Sequence, residues 1–127
     1  MLIDSFFMNY TEIRHHLHRH PELSGQEQYT AAFIIDKLCE LNVKTIHHPI
    51  GGQSVLAVID GKQAGPAILF RCDVDALPIQ EIAEHDHVSE NDGAMHACGH
   101  DGHTTILLRV AEMLIQSPPE RGSVLLL

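Results

Sequence analysis

The chain has 127 residues, 44% of them apolar, enough for one domain with a real core and too apolar for a disordered segment. Eight Lys and Arg stand against 17 Asp and Glu, a formal charge of −9, which argues against a nucleic-acid or anionic-membrane partner, since both need a basic face. The three cysteines, Cys39, Cys72 and Cys98, form no Cys-x-x-Cys pair, so a reducing, cytoplasmic setting is expected rather than a disulfide framework.

In chain order, Asp4 or Ser5 is predicted to cap a first helix with an apolar stripe of Phe6, Phe7, Tyr10, Ile13 and Leu17. Pro21 stops it. Arg14, His15, His16, His18, Arg19 and His20 crowd its C-terminal end, where cations suit the helix dipole. Ser24 with Glu27 fits a capping box for a second helix to about Leu41. Its stripe is Ala31, Ile34, Ile35, Leu38 and Leu41, with Cys39 as a small core residue beside it.

Residues 43–48 alternate like a short strand, and Gly51-Gly52 marks a turn. A strand over 54–59 is expected to return, through a hairpin-like connection, as a buried strand over 67–70. That strand ends in Arg71-Cys72-Asp73-Val74-Asp75. Residues 79–93 have no period and hold Glu81, Glu84, Asp86, Glu90 and Asp92. They read as a long surface loop, either functional or merely solvated. An apolar helix is predicted over 104–116, its Ile106, Leu107, Val110, Met113 and Leu114 turned to the strands around Leu56, Leu69 and Leu125. Ser117-Pro118-Pro119 ends it, and 123–127 reads as a buried strand. Strand, crossover helix and strand make a right-handed βαβ unit. No site-bearing loop follows the last strand, so the sequence is expected to be cut mid-domain. No apolar run approaches the roughly 20 residues of a membrane span.

The chemistry concentrates in Met95-His96-Ala97-Cys98-Gly99-His100-Asp101-Gly102-His103. Cys98 and His100 stand two apart around a glycine, so thiolate and imidazole can converge on one zinc-like ion. Eleven histidines fit metal binding, and chance surface placement accounts for them too. A catalytic zinc takes three protein ligands, so the rest must come from elsewhere. Asp101 either orients ligands or caps the helix, and His103 faces either the site or solvent. One of Asp73 and Asp75 can orient a metal-bound imidazole, or Asp73 can pair with Arg71. A thiolate at a helix N-terminus can also be a nucleophile, which makes a cysteine hydrolase using Cys98 the rival.

Three motifs carry a family resemblance: Arg14-His15-His16-Leu17-His18-Arg19-His20-Pro21-Glu22-Leu23-Ser24, Arg71-Cys72-Asp73-Val74-Asp75-Ala76-Leu77-Pro78, and Met95 through His103. Together they resemble the M20-type metallo-amidohydrolases, in the branch of hippurate hydrolases, N-acyl-amino-acid amidohydrolases and auxin-conjugate hydrolases. The resemblance implies residues 1–127 are the N-terminal portion of an α/β catalytic domain. That domain is three-layered and metallopeptidase-like, with a mixed sheet flanked by helices. It also implies two zinc or manganese ions per complete site, an N-acyl amino acid substrate, and homo-oligomers. Cys98 matches the metal-bridging ligand, His100 a ligand to one metal, and Asp73 the supporting acid. Arg71 stands where the wider superfamily has a ligand His. The general-base Glu, a dimerisation domain and the other ligands match nothing here. The fragment is therefore expected to be inactive alone, or a non-catalytic truncated product.

Overall fold

The computed structural model describes residues 8–127. Its elements run α1 (Tyr10–Arg19), α2 (Gln28–Glu40), β1 (Thr45–Ile50), β2 (Ser54–Asp60), β3 (Gln63–Phe70), α3 (His100–Gln116) and β4 (Arg121–Leu126). The class is α/β, as the sequence indicates. No helix among the described residues is long and apolar enough to cross a membrane.

Asp4, Ser5, Phe6 and Phe7 lie outside the described residues, so their part in the first helix is not reached. Within them α1 starts at Tyr10, because the Asn9 side chain accepts the Glu12 N–H at 3.1 Å and satisfies an orphan donor. The Ser24 capping box does not form. α2 begins only at Gln28, and its free N–H groups, those of Tyr29 and Thr30, donate instead to the Glu22 carboxylate at 3.2 and 2.5 Å. Cys39 is exposed rather than in the core. One residue past buried Leu38 is about 100° round the helix, which turns it to solvent.

The sheet order is β1-β2-β4-β3. The expected hairpin between β2 and β3 is therefore wrong: β4 lies between them, antiparallel to β2 and parallel to β3. The turn after β2 is occupied by the start of β4. Gly61 N–H donates to Gly122 and Gln63 N–H to Glu120, at 2.7 and 3.1 Å. Burial of 67–70 is also wrong. β3 is the edge strand, and Ile68, Leu69 and Phe70 are about half exposed. The parallel β3–α3–β4 crossover is present as expected.

Register puts Ala57 opposite Leu126 and Ile59 opposite Val124, all buried on one sheet face. Leu38 and Leu41 of the α2 region, Leu108 and Ala111 of α3, and Ile13 and Leu17 of α1 complete that core. The described residues thus supply the sheet and one helical layer. α3 packs Leu107, Val110 and Leu114 against that core as its apolar pattern indicates, but the margins of the stripe differ. Thr104, Thr105, Leu108, Ala111 and Glu112 face inward, whereas Ile106 and Met113 are exposed. Polar anchors set the rotation: Asp101 is fully buried, and buried Glu112 accepts the Tyr10 hydroxyl at 2.8 Å and an Arg109 N–H.

Candidate metal centre

α3 starts four residues earlier than its apolar pattern suggests, so His100, Asp101 and His103 form its first turn. Gly99 precedes them at φ 96°, a left-handed conformation that costs glycine little. This turn separates Cys98, just before the helix, from His100, its first residue. The Cys98 thiol is free and exposed. The two bridging bonds between Leu77 and Met95, at 2.9 and 3.0 Å, tie the segment after β3 to the segment before Cys98. That tie carries Asp75 to His100.

His100 Nδ1 lies 2.8 Å from the Asp75 carbonyl oxygen and 3.1 Å from its Oδ1. Both partners can only accept, so Nδ1 carries the proton and Nε2 keeps a lone pair. This is the arrangement that orients a metal-binding imidazole. Asp73 accepts instead from the Arg71 guanidinium at the surface. Asp73, Asp75 and His100 nonetheless line one cavity of about 600 Å³, together with apolar Ala31, Ile34 and Leu38. A soft thiolate and an imidazole with a free Nε2, two positions apart, fit a zinc-class ion as a partial donor set. His103 is exposed, its ring 6.0 Å from that of His100.

Asp101 neither caps α3 nor reaches the cavity. Its Oδ2 lies 2.8 Å from His18 Nδ1, with the Arg14 Nε 3.6 Å away. Burial would raise its pKa, but the His18 hydrogen bond and the Gly102 N–H outweigh that and hold it below the usual carboxylate range. His18 Nε2 continues to Glu81 Oε1 at 3.0 Å, and His85 Nε2 reaches the same oxygen at 2.9 Å. Burial opposes the charge on His18, yet its bonds to Glu81 and Asp101 raise its pKa above the ordinary value. Glu81 is lowered in turn: burial works against this, and the His18 hydrogen bond and Ser89 N–H prevail. The sequence placed His18 only at a helix dipole and Glu81 only in an acidic loop. Their pairing spans 63 positions and leaves no local signal. His96 is buried with both ring nitrogens lacking a partner among the described residues, and burial lowers its pKa.

The profile of Peptidase family M20/M25/M40 matches residues 69–127, the stretch that holds the Cys98–His100 turn. The chain is 44% identical over 115 residues to an N-acyl-L-amino acid amidohydrolase of Geobacillus stearothermophilus, covering 91% of this chain and 31% of that protein. It is 40% identical over 105 residues to a hippurate hydrolase of Campylobacter jejuni, covering 83% and 27%. The crystal structure of a Bacillus subtilis dinuclear metal binding peptidase from the M20 family superposes with a TM-score of 0.87 at 40% identity, over 92% of this chain and 33% of that one. The chain thus spans about 30% of the length of the curated relatives it matches.

Proposed function

We propose, from the premise that this chain belongs to the M20 peptidase and amidohydrolase family, that Cys98 and His100 are metal ligands of an enzyme that hydrolyses the amide bond of N-acyl amino acids. The observation that carries it is the Asp75-anchored imidazole of His100, whose Nε2 has no partner among the described residues, two positions from an exposed thiol. In this reading the complete site holds two zinc or manganese ions. Bound there, the metal supplies Lewis acidity to the amide carbonyl. The chain's own residues do the holding. Cys98 gives a thiolate, His100 gives Nε2, and Gly99 makes the turn that lets both reach one place. Asp75 fixes the His100 tautomer on geometric grounds. Asp73 keeps the supporting-acid role on the family motif, from its position in the same cavity wall.

The substrate class follows the names of the relatives, and these 127 residues alone are inferred to be inactive. Two protein ligands leave most of a metal's coordination to water, so affinity is weak. The half-exposed β3 edge, with Ile68, Leu69 and Phe70, supports self-association of the chain by itself. The test is metal titration with an N-acyl amino acid amidase assay on the purified chain, beside Cys98→Ala and His100→Ala. Weak metal binding, reduced in both variants, and no turnover are expected. Activity that survives chelators and dies on thiol alkylation would overturn the metal reading in favour of a cysteine nucleophile.

A further inference from the structure

On the far side of Asp101 a second group of ligand atoms converges. His18 Nε2, Glu81 Oε1 and His85 Nε2 all lie within 4.8 Å of one another. The side chains of Glu81 and His18 are 1% and 10% exposed, and His85 opens the group to solvent at 31%. Each is already oriented. Asp101 can only accept, so the 2.8 Å bond puts the His18 proton on Nδ1. The Ser89 N–H donates to Glu81 Oε2 at 2.6 Å, which turns Oε1 to the two imidazoles. His85 stacks on His87 at 3.9 Å, and His87 on His15 at 3.8 Å, which holds the His85 ring in place.

Geometry brings the ligand atoms together, and proton accounting leaves room for a cation among them. With its proton on Nδ1, a neutral His18 would aim the Nε2 lone pair at a carboxylate oxygen 3.0 Å away. That contact is repulsive unless a cation lies between. A second proton on His18 meets the need, and so does a metal ion that displaces it. A carboxylate behind an imidazole, as Asp101 stands behind His18, is the usual outer partner of a metal-binding His. Two imidazole nitrogens and one carboxylate oxygen suit zinc and its neighbours, at about 2.0–2.2 Å each. The neighbouring His96, its ring 6.4 Å from that of His18, is buried with neither nitrogen partnered among the described residues.

We propose that His18, Glu81 and His85 bind one divalent transition cation, separate from the Cys98–His100 site, which clips the 79–93 loop to α1. The proposal does not depend on the function of the first site. The test uses the whole chain, stripped with chelator and titrated with cobalt(II). In a Cys98→Ser/His100→Ala background one cobalt should still bind, with ligand-field absorption but no thiolate charge-transfer band. Adding His85→Ala, a partly exposed change that spares the fold, should weaken it at least about tenfold, since losing a direct ligand costs no less than losing an outer partner. Zinc should raise the melting temperature of the double variant and not of the triple variant. Cobalt binding that is absent from the double variant, or unchanged by both His85→Ala and Glu81→Gln, would overturn the proposal.

Discussion

Replacing His18 with alanine removes the imidazole that joins two buried carboxylates, Glu81 and Asp101. Breaking a buried ion pair by deleting one partner costs about 3–5 kcal/mol. Here the low end applies. Glu81 keeps the Ser89 N–H and His85, and Asp101 keeps Arg14 at 3.6 Å. Unfolding entropy of about 2.1 cal/mol/K per residue comes to about 0.27 kcal/mol/K for this chain, so about 3 kcal/mol lowers Tm by about 11 °C. The assay is thermal unfolding by circular dichroism at neutral pH, with chelator present. A second variant separates charge from packing. Glu81→Gln in the His18→Ala background neutralises one stranded carboxylate and should recover about 1 kcal/mol or more. A fall below about 3 °C (about 0.8 kcal/mol by the same conversion), or a double variant less stable than His18→Ala alone, would refute the reasoning.

Gly122→Ala should cost more than about 2 kcal/mol in urea denaturation, because φ is 83° and the new Cβ would clash with the Pro66 carbonyl oxygen. His16 carries a lowered pKa, chiefly from burial and then from nearby His20. Its folded state therefore binds fewer protons than the unfolded one, and the stability present above the unfolded pKa of about 6.5 is lost as pH falls through it. His16→Phe should flatten the drop in stability between pH of about 7.5 and 5.5, read by denaturant titration at both. Thiol labelling followed by mass spectrometry should find Cys39 and Cys98 fast and Cys72 slow, since burial raises the Cys72 thiol. Zinc should protect Cys98 and leave Cys39 unchanged; the opposite pattern removes Cys98 from the ligand set.

What could be read in the sequence was local. The βαβ crossover follows from strand and helix periods, and the Cys98-Gly99-His100 turn from residue chemistry at short spacing. What escaped was decided by long-range competition. β2 and β3 are adjacent in the chain with turn residues between them, yet β4 takes the shared ladder position. The middle of the α3 stripe, Leu107, Val110 and Leu114, packs as read, but the exposure of Ile106 and Met113 could not be read, because buried Asp101 and Glu112 take inward positions through partners on α1. Asp75 rather than Asp73 meets His100 because Leu77 is bonded to Met95 across the intervening loop, and no spacing rule encodes that tie.

The insertion of β4 between β2 and β3 also orders the events of folding. β1 and β2 are neighbours in sequence and can zip as a hairpin once their turn forms. β3 cannot. Phe70 has no ladder partner until Leu126 arrives, after the acidic loop and all of α3 have been made. Closing so non-local a pairing is slow, and a chain emerging from the ribosome spends that interval with the 67–70 strand unpaired. Ile68, Leu69 and Phe70 are then an apolar β-prone run with both backbone edges open, the kind of segment that chaperones hold and that aggregates nucleate on. Substitutions in β4 should therefore act on the yield of folded protein during synthesis more than their equilibrium cost suggests.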